Sequence, residues 1–384
     1  QQCSLFEKLK NAMEQLERAA SALRAAGYEV QTTRVAVNSF ETWLLPCISK
    51  GQSTLDDTMK HLILILDSIG INFFNIGPCT RQENIPLVPK ILVKSTKISS
   101  SILFKKEKQN VFVDFAHCKA AAEACLTVAA LSGDLGNFRL CSSFNCSPGI
   151  PFFPAAYHEV NDKSDLSAST KTPPNSLTVG FESGDLLFLA FHGVKNHVTA
   201  SDNLFDIMRQ VCLHVQSIML SIVDETVVFG GIDASINPGL TPPDSVGAGL
   251  ENLLFPLTER QVGDMGTLAA VSAVTAAIKR LPSAGVQLTG YSGLMLPVME
   301  DLVLAERAAQ QPPRMTLRDL LTFSAVCGVG LDTVPIPGDV SADSLAGVYM
   351  ETAALAFRLD KPLSCRLLPM KGKKAGDWTE VDSP

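Results

Sequence analysis

The sequence has few of the features that mark the common classes of functional site. Only 18% of its 384 residues are charged, the net charge is −7, and no long run of like charges occurs. Nucleic-acid binding needs a clustered basic surface, so we expect no nucleic-acid partner. The two lysine-rich stretches, LFKKEKQN and KGKKAGD, both contain acidic residues, and we interpret them as solvated loops.

Long hydrophobic runs and paired cysteines are missing as well. A membrane span needs about 20 mainly apolar residues, whereas the best uncharged run, residues 281–299, is broken by glycines and prolines. We therefore expect no membrane partner, and no signal peptide is visible in the charged N-terminal segment. The 10 cysteines show no CxxC pair and no zinc-finger spacing. Free thiols within apolar runs indicate a reducing, cytoplasmic location.

Motifs for phosphate, nucleotide or hydrolytic chemistry are absent too. The sequence contains no GxxxxGK[ST], no GxGxxG after a strand, no HExxH and no GxSxG. Only 6 histidines are present, and they are dispersed, so we expect no histidine-rich metal site. Acidic residues could still supply oxygen ligands, so a divalent cation stays a candidate cofactor.

The chain does contain a large apolar fraction, 46%, arranged as alternating helices and strands. Repeated βα units predict a parallel sheet with helices outside, and ligand sites at the carboxyl ends of its strands. We expect one domain over residues 1–384, with a flexible polar insertion at about residues 161–176. Strands are predicted at 28–37, 71–77 and 285–297. We also expect a helix that is capped by Ser201 and a proline-rich loop after Asp332.

Polar residues cluster at four places where strands should end. In PFFPAAYHEVND, His158 and Glu159 are candidates for an acid/base pair, with Tyr157 as a substrate-binding group. Adjacent residues on a strand point to opposite faces, so a structural or surface role is the alternative. In GIDASINPGLTPPDS, Asp233 ends a strand and is a candidate metal ligand.

The other candidates each have a structural alternative. Asp244 and Ser245 would bind an anion or substrate, or simply cap the next helix. In TGYSGLMLPVMED, Ser292 is a candidate substrate contact, and Glu300 and Asp301 are candidate metal ligands that a helix dipole alone would also favour. The last cluster lies in the sequence AVCGVGLDTVPIPGD. It supplies Cys327 as a nucleophile or a packed thiol, Asp332 as a metal ligand and Thr333 as a substrate contact.

These strings, with RLCSSFNCSPGIPFFPAAYHE, GTLAAVSAVTAAI and CRLLPMKGKKAGDWTE, occur in one order and resemble the DUF711 (UPF0210) family of uncharacterised proteins. The resemblance implies a ten-stranded α/β barrel like that of pyruvate formate-lyase and ribonucleotide reductase, made of two parallel halves set antiparallel. It also implies a homodimer and an ACT-type regulatory partner. The chain lacks the glycyl-radical motif of those enzymes. It also stops before the glycine-rich segment that usually follows in the family.

The sequence thus favours a small-metabolite enzyme of the hydrolase or lyase type, with an acidic site at the centre of a barrel and a cation or cationic substrate balancing its charge. Lys374 would meet a carboxylate or phosphate of the small-molecule ligand. A metabolite-binding regulatory protein without turnover and a dimeric scaffold are the alternatives. The sequence leaves open whether the chain is an enzyme.

Overall fold

The computed structural model describes residues 5–49, 54–106, 113–133, 135–159, 175–239, 244–254 and 261–379. Its helices are α1 Leu5–Ala25, α2 Phe40–Trp43, α3 Leu45–Ser49, α4 Leu55–Ile69, α5 Leu87–Leu92, α6 Phe115–Ser132, α7 Gly184–Phe191, α8 His197–Ile222, α9 Val246–Leu254, α10 Thr267–Lys279, α11 Leu302–Ala309, α12 Leu317–Ser324 and α13 Ala342–Arg358. Its strands are β1 Val35–Ala36, β2 Phe74–Asn75, β3 Ile98–Phe104, β4 Leu140–Phe144, β5 Asn175–Gly180, β6 Val227–Asp233, β7 Gly330–Pro337 and β8 Leu363–Met370.

The strands form two sheets. The larger has 6 strands in the order β1-β2-β3-β4-β8-β7, and the smaller pairs β5 with β6 in parallel. Strands β1 to β4 run parallel, the β4–β8 pair is antiparallel, and β8 and β7 are again parallel. The chain is therefore a mixed α/β fold with a mostly parallel sheet and helices around it, as the alternating pattern predicted.

Isolated backbone bridges connect the two sheets through the segment 286–297. Ile232 of β6 pairs with Leu288, and farther along Pro297 pairs with Asp332 of β7. This segment was predicted as a strand, but it forms only single bridges, because its glycines and prolines interrupt a continuous ladder. Within the described ranges the strands do not close into a barrel.

Several predicted elements differ from the observed ones. Only two residues of each strand predicted at 28–37 and 71–77 pair with a neighbour. Helix α8 begins earlier than predicted: Asn196 caps it by accepting from Thr199 N at 2.8 Å, and Ser201 lies inside the helix. Asparagine is a strong N-cap residue, so the helix extends upstream to the first such group.

The proline-rich stretch after Cys327 is a strand rather than the predicted loop. β7 lies at the edge of the larger sheet, where a proline without an N–H is tolerated. The predicted insertion at 161–176 lies outside the described residues, apart from Asn175 and Ser176, which begin β5.

Helix α6 illustrates how small residues bring a helix onto the sheet. Ala121, Ala122 and Cys125 are buried, so the helix packs closely against β4 and α13. Beneath it, Phe104 and Phe144 stack with ring centroids 4.9 Å apart. None of the described helices combines the length and the apolar character needed to cross a membrane.

Candidate functional site

A cavity of about 1830 Å³ opens between the two sheets. It is lined by α1, by β1 and the residues before it, by β5, by the loop 148–159, by Asp332 of β7, and by Ser364 and Arg366 of β8. Small-molecule sites usually measure about 300–1,000 Å³, so the cavity has room for a metabolite and its water. Both halves of the fold contribute to it.

A buried ion network lies at the cavity wall. Arg366 of β8 donates from Nε to Asp332 Oδ1 at 2.8 Å and from Nη2 to Glu300 Oε1 at 3.0 Å. The side chains of Arg366 and Asp332 are 13% and 10% exposed, so solvent screens this pair little. The two carboxylates raise the pKa of Arg366, and burial raises the pKa of Glu300, against the opposing pull of Arg366.

The backbone sets this network at a strand irregularity. The β7–β8 register shifts between Leu331 and Val334, so Asp332 and Thr333 form a bulge beside Arg366. Thr333 has φ +40°, a strained conformation for a β-branched residue, and its hydroxyl is fully buried. Bulges and strained residues of this kind often re-aim a side chain beside a functional site. Met299 N donates to Thr333 O at 3.2 Å, which fixes the chain next to Glu300.

Arg34 is a second guanidinium at the same cavity, and it was not among the predicted residues. Its charged group lies 5.7 Å from the Phe73 ring centroid and 5.6 Å from that of Phe153. Its Nε donates to Thr32 Oγ1 at 3.0 Å, and no carboxylate of the described residues forms an ion pair with it. Burial, followed by the nearby charge of Arg366, lowers its pKa. Its only sequence signal is one arginine within a strand-like stretch.

Asp233, a predicted metal ligand, instead organises the loop after it. Its carboxylate accepts from Ser235 Oγ at 2.6 Å, Tyr291 N at 2.8 Å and Ser292 N at 2.9 Å. A side chain at Gly290, which has φ +63°, would collide with this carboxylate. Burial raises the pKa of Asp233, whereas these hydrogen bonds lower it. Ser292, a predicted substrate contact, is thus held by backbone hydrogen bonds.

Asp301 and Ser245 form a second hydrogen-bonded anchor. Asp301 caps α11 through Leu304 N and accepts from Ser245 Oγ at 2.8 Å and Gly247 N at 3.2 Å. Ser245 Oγ also accepts from Ala248 N at 3.0 Å, which makes it the cap of α9. The structural alternative given above for these two residues is therefore supported by direct contacts.

The first predicted cluster lies at the cavity, but its residues differ in environment. Tyr157 is buried and donates to Cys146 O at 3.0 Å, and burial raises its pKa. His158 is half-buried, and burial lowers its pKa, which favours the neutral imidazole. Glu159 is exposed and pairs with Lys105 at 3.4 Å. Tyr157 and His158 are thus at least partly buried, whereas Glu159 is exposed to solvent.

The remaining predicted residues are scattered. Asp244 lines the cavity, and it is far from Arg34 and Arg366 in the sequence. Cys327 is 1% exposed within the main apolar core, and its carbonyl accepts from the Lys361 ammonium. Lys374 is exposed, and its backbone N–H donates to Asp377 at 2.7 Å.

The described residues bring together two of the four predicted metal ligands, Glu300 and Asp332, with a guanidinium between them. No group of three histidine, cysteine or acidic side chains among those residues is arranged to hold a metal ion. The metal roles of Asp233, Glu300, Asp301 and Asp332, like the catalytic and substrate roles above, stay predictions.

The fold and the cavity define a mixed α/β protein with an internal pocket lined by charged groups. The family model described as uncharacterised ACR (DUF711) matches residues 2–382. The chain belongs to this family, also called UPF0210, as the sequence motifs predicted.

Three relatives illustrate the match. A UPF0210 protein of Pyrobaculum islandicum is 27% identical over 383 residues, 96% of this chain and 79% of that protein. One of Leuconostoc mesenteroides is 25% identical over 398 residues, 98% of this chain and 82% of that protein. One of Pyrobaculum aerophilum is 40% identical over 156 residues, 40% of this chain and 34% of that protein. These names state no activity.

Proposed function

We propose that the chain binds a small metabolite with a carboxylate or phosphate group in the cavity between its sheets, and that Arg34 pairs with this anion. The observation that carries the proposal is the difference between the two arginines. Arg366 is neutralised by Asp332 and Glu300, whereas Arg34 faces the same cavity with a hydroxyl and two aromatic rings as its neighbours.

Physical chemistry supports an anionic ligand at Arg34. A guanidinium stays protonated in proteins, so its burial has to be compensated by a counter-charge or by good hydrogen bonds. Its planar fork of N–H donors matches a carboxylate or a phosphate. Packing between Phe73 and Phe153 orients this fork, which lowers the entropy lost on binding.

We further propose that His158 transfers a proton to or from the bound metabolite, which would make the chain an enzyme of the hydrolase or lyase type. The position of His158 in the cavity lining supports this role, and the lowering of its pKa by burial favours the unprotonated form that a general base needs. A protein that only binds or senses the metabolite would use the same pocket but would not need the His158 imidazole.

Calorimetry and thermal-shift measurements test the proposal. Wild type, Arg34→Gln and the exposed control Arg318→Gln are titrated with a panel of small carboxylic acids and organic phosphates. We expect ligands that stabilise wild type and Arg318→Gln but not Arg34→Gln. Equal responses of all three proteins would refute the role of Arg34. His158→Gln should keep binding and lose conversion of the ligand, followed by mass spectrometry; unchanged conversion would exclude proton transfer by His158.

The finer features implied by the family resemblance are also proposals. We infer that the two sheets and the bridging segment 286–297 are parts of one ten-stranded barrel, of which the described residues supply eight strands and this segment. The bridges from β6 to Leu288 and from Pro297 to β7 support this arrangement. A homodimer, an ACT-type partner and a bound divalent cation rest on the sequence alone. Light scattering, co-purification and metal analysis of the purified protein test them in turn.

A further inference from the structure

The cavity wall carries more acidic than basic side chains: its bases are Lys8, Arg34 and Arg366, and its acids are Glu29, Glu159, Glu182, Asp185, Asp244, Glu300 and Asp332. Two guanidinium groups, Arg34 and Arg366, face two carboxylates, Glu300 and Asp332. All four side chains line the same cavity. Binding an anion alone at Arg34 would add a further negative charge to a wall that already has more acids than bases, which is costly where water is limited.

The two carboxylates keep unused acceptor positions. Arg366 occupies Asp332 Oδ1, and within the described part of the chain no donor forms a hydrogen bond with Asp332 Oδ2. Glu300 accepts from Arg366 and Thr333, and a carboxylate has acceptor positions beyond these two. Asp332 is only 7% exposed and lines the cavity. A cationic donor gains the most binding free energy where it forms a hydrogen bond with a buried carboxylate oxygen that no protein donor satisfies.

Thr333 is placed to support Glu300 rather than to meet a ligand. Its hydroxyl is fully buried, and Thr333 is not among the residues that line the cavity. A hydrogen bond from the Thr333 side chain lowers the pKa of Glu300, so the ligand contacts are left to the two acids.

We propose that the ligand carries an ammonium group as well as its anionic group, so that it is a small zwitterion of the amino-acid type. Its carboxylate pairs with Arg34, and its ammonium donates to carboxylate oxygens of Glu300 and Asp332. An ammonium has three N–H donors, and ionised carboxylates offer only acceptors, so the two groups are complementary. Binding then adds no net charge to the cavity. This inference rests on the proposed anion binding at Arg34 and specifies its ligand class.

Matched pairs of ligands test this inference. Wild type is titrated calorimetrically with common L-amino acids, with the carboxylic acids obtained by replacing the amino group by hydrogen, and with the amines obtained by removing the carboxylate. We expect an amino acid to bind about tenfold or more tightly than both of its analogues, as when a hydrogen bond between charged groups is lost. Glu300→Gln and Asp332→Asn should weaken the amino acid and leave its deaminated analogue nearly unchanged. The exposed control Glu351→Gln should behave as wild type.

The outcomes separate the two proposals. If deaminated acids bind as tightly as amino acids and still require Arg34, the zwitterion inference is overturned while anion binding stands. If neither acids nor amino acids bind, or binding ignores Arg34, anion binding fails and the inference fails with it. Far-UV circular dichroism of each variant confirms its fold, and the conservative pair Glu300→Gln and Asp332→Asn gives two independent readings.

Discussion

Arg366 on β8 and Asp332 on β7 form an ion pair across a bulge between the two strands, with Nε 2.8 Å from Oδ1. The pair lies at the wall of the cavity, and Glu300 shares the same guanidinium at 3.0 Å. A buried arginine that serves two acids holds β7, β8 and the segment before α11 together. The same arrangement fixes the charge pattern that a ligand meets.

Replacing Arg366 by methionine should destabilise the protein by about 3–5 kcal/mol, because two buried carboxylates lose their counter-charge. Urea denaturation of wild type and variant measures the loss. The matched control removes the acids as well: Arg366→Met combined with Glu300→Gln and Asp332→Asn should recover most of the stability. An Arg366→Met protein as stable as wild type would show that the ion network does not hold the strands together.

Replacing Asp233 by alanine should cost about 3 kcal/mol or more, since the buried N–H groups of Ser235, Tyr291 and Ser292 lose their acceptor. Each buried donor left without an acceptor costs about 1–3 kcal/mol. The same denaturation assay applies, with the exposed Asp339→Ala as the control. A loss below about 1 kcal/mol, the usual size for a surface substitution, would contradict the anchoring role. A loss of metal content without a loss of stability would instead favour the metal role predicted from the sequence.

Glu300 should make stability depend on pH in a defined direction. Burial raises its folded pKa above the ordinary value of 4.5, although Arg366 opposes this and Asp332 adds to it. The protonated form is therefore favoured by the fold, and this stabilisation is complete below pH 4.5 and is lost as the pH rises through the folded pKa. As the pH rises from 4.5 through the folded pKa of Glu300, the stability of Glu300→Gln relative to wild type should thus increase, and above that pKa it should level off. A difference independent of pH, or one that changes in the opposite sense, would show that the folded pKa is not raised.

Cys327 should react with thiol reagents only when the protein unfolds. Of the described cysteines, Cys47 alone is exposed, and the other eight are buried. With Cys3 and Cys47 replaced by serine, rapid labelling of the native protein should disappear, and urea should restore it. Rapid labelling at Cys327 in native protein, located by mass spectrometry, would revive its candidacy as a nucleophile.

The sequence predicted the mixed α/β class and the family, because these depend on local periodicity and on motifs that are contiguous in the chain. It placed the start of α8 five residues too late, because Asn196 and Ser201 are both residue types that cap helices and it is Asn196 that makes the cap hydrogen bond. It read β7 as a loop because the tolerance of an edge strand for proline depends on its neighbours in the sheet.

The site was harder to predict than the fold. Acidic residues after strands are easy to find, but their partners are far apart in sequence: Arg366 is 34 residues from Asp332 and 66 from Glu300. Without those contacts, Asp233 resembles Asp332, although one is enclosed by backbone N–H groups and the other faces the cavity. Arg34 carries no local motif at all, so only the fold brings it to the pocket.

Isothermal titration of wild type, Arg34→Gln and Arg318→Gln with the common L-amino acids is the most direct measurement of ligand binding. We predict binding to wild type and to Arg318→Gln, with an affinity at least about tenfold lower for Arg34→Gln because a charge-assisted contact is lost. Equal affinity for all three proteins, or no binding to wild type by any amino acid or small acid, would contradict the assignment of the cavity as an anion-binding site.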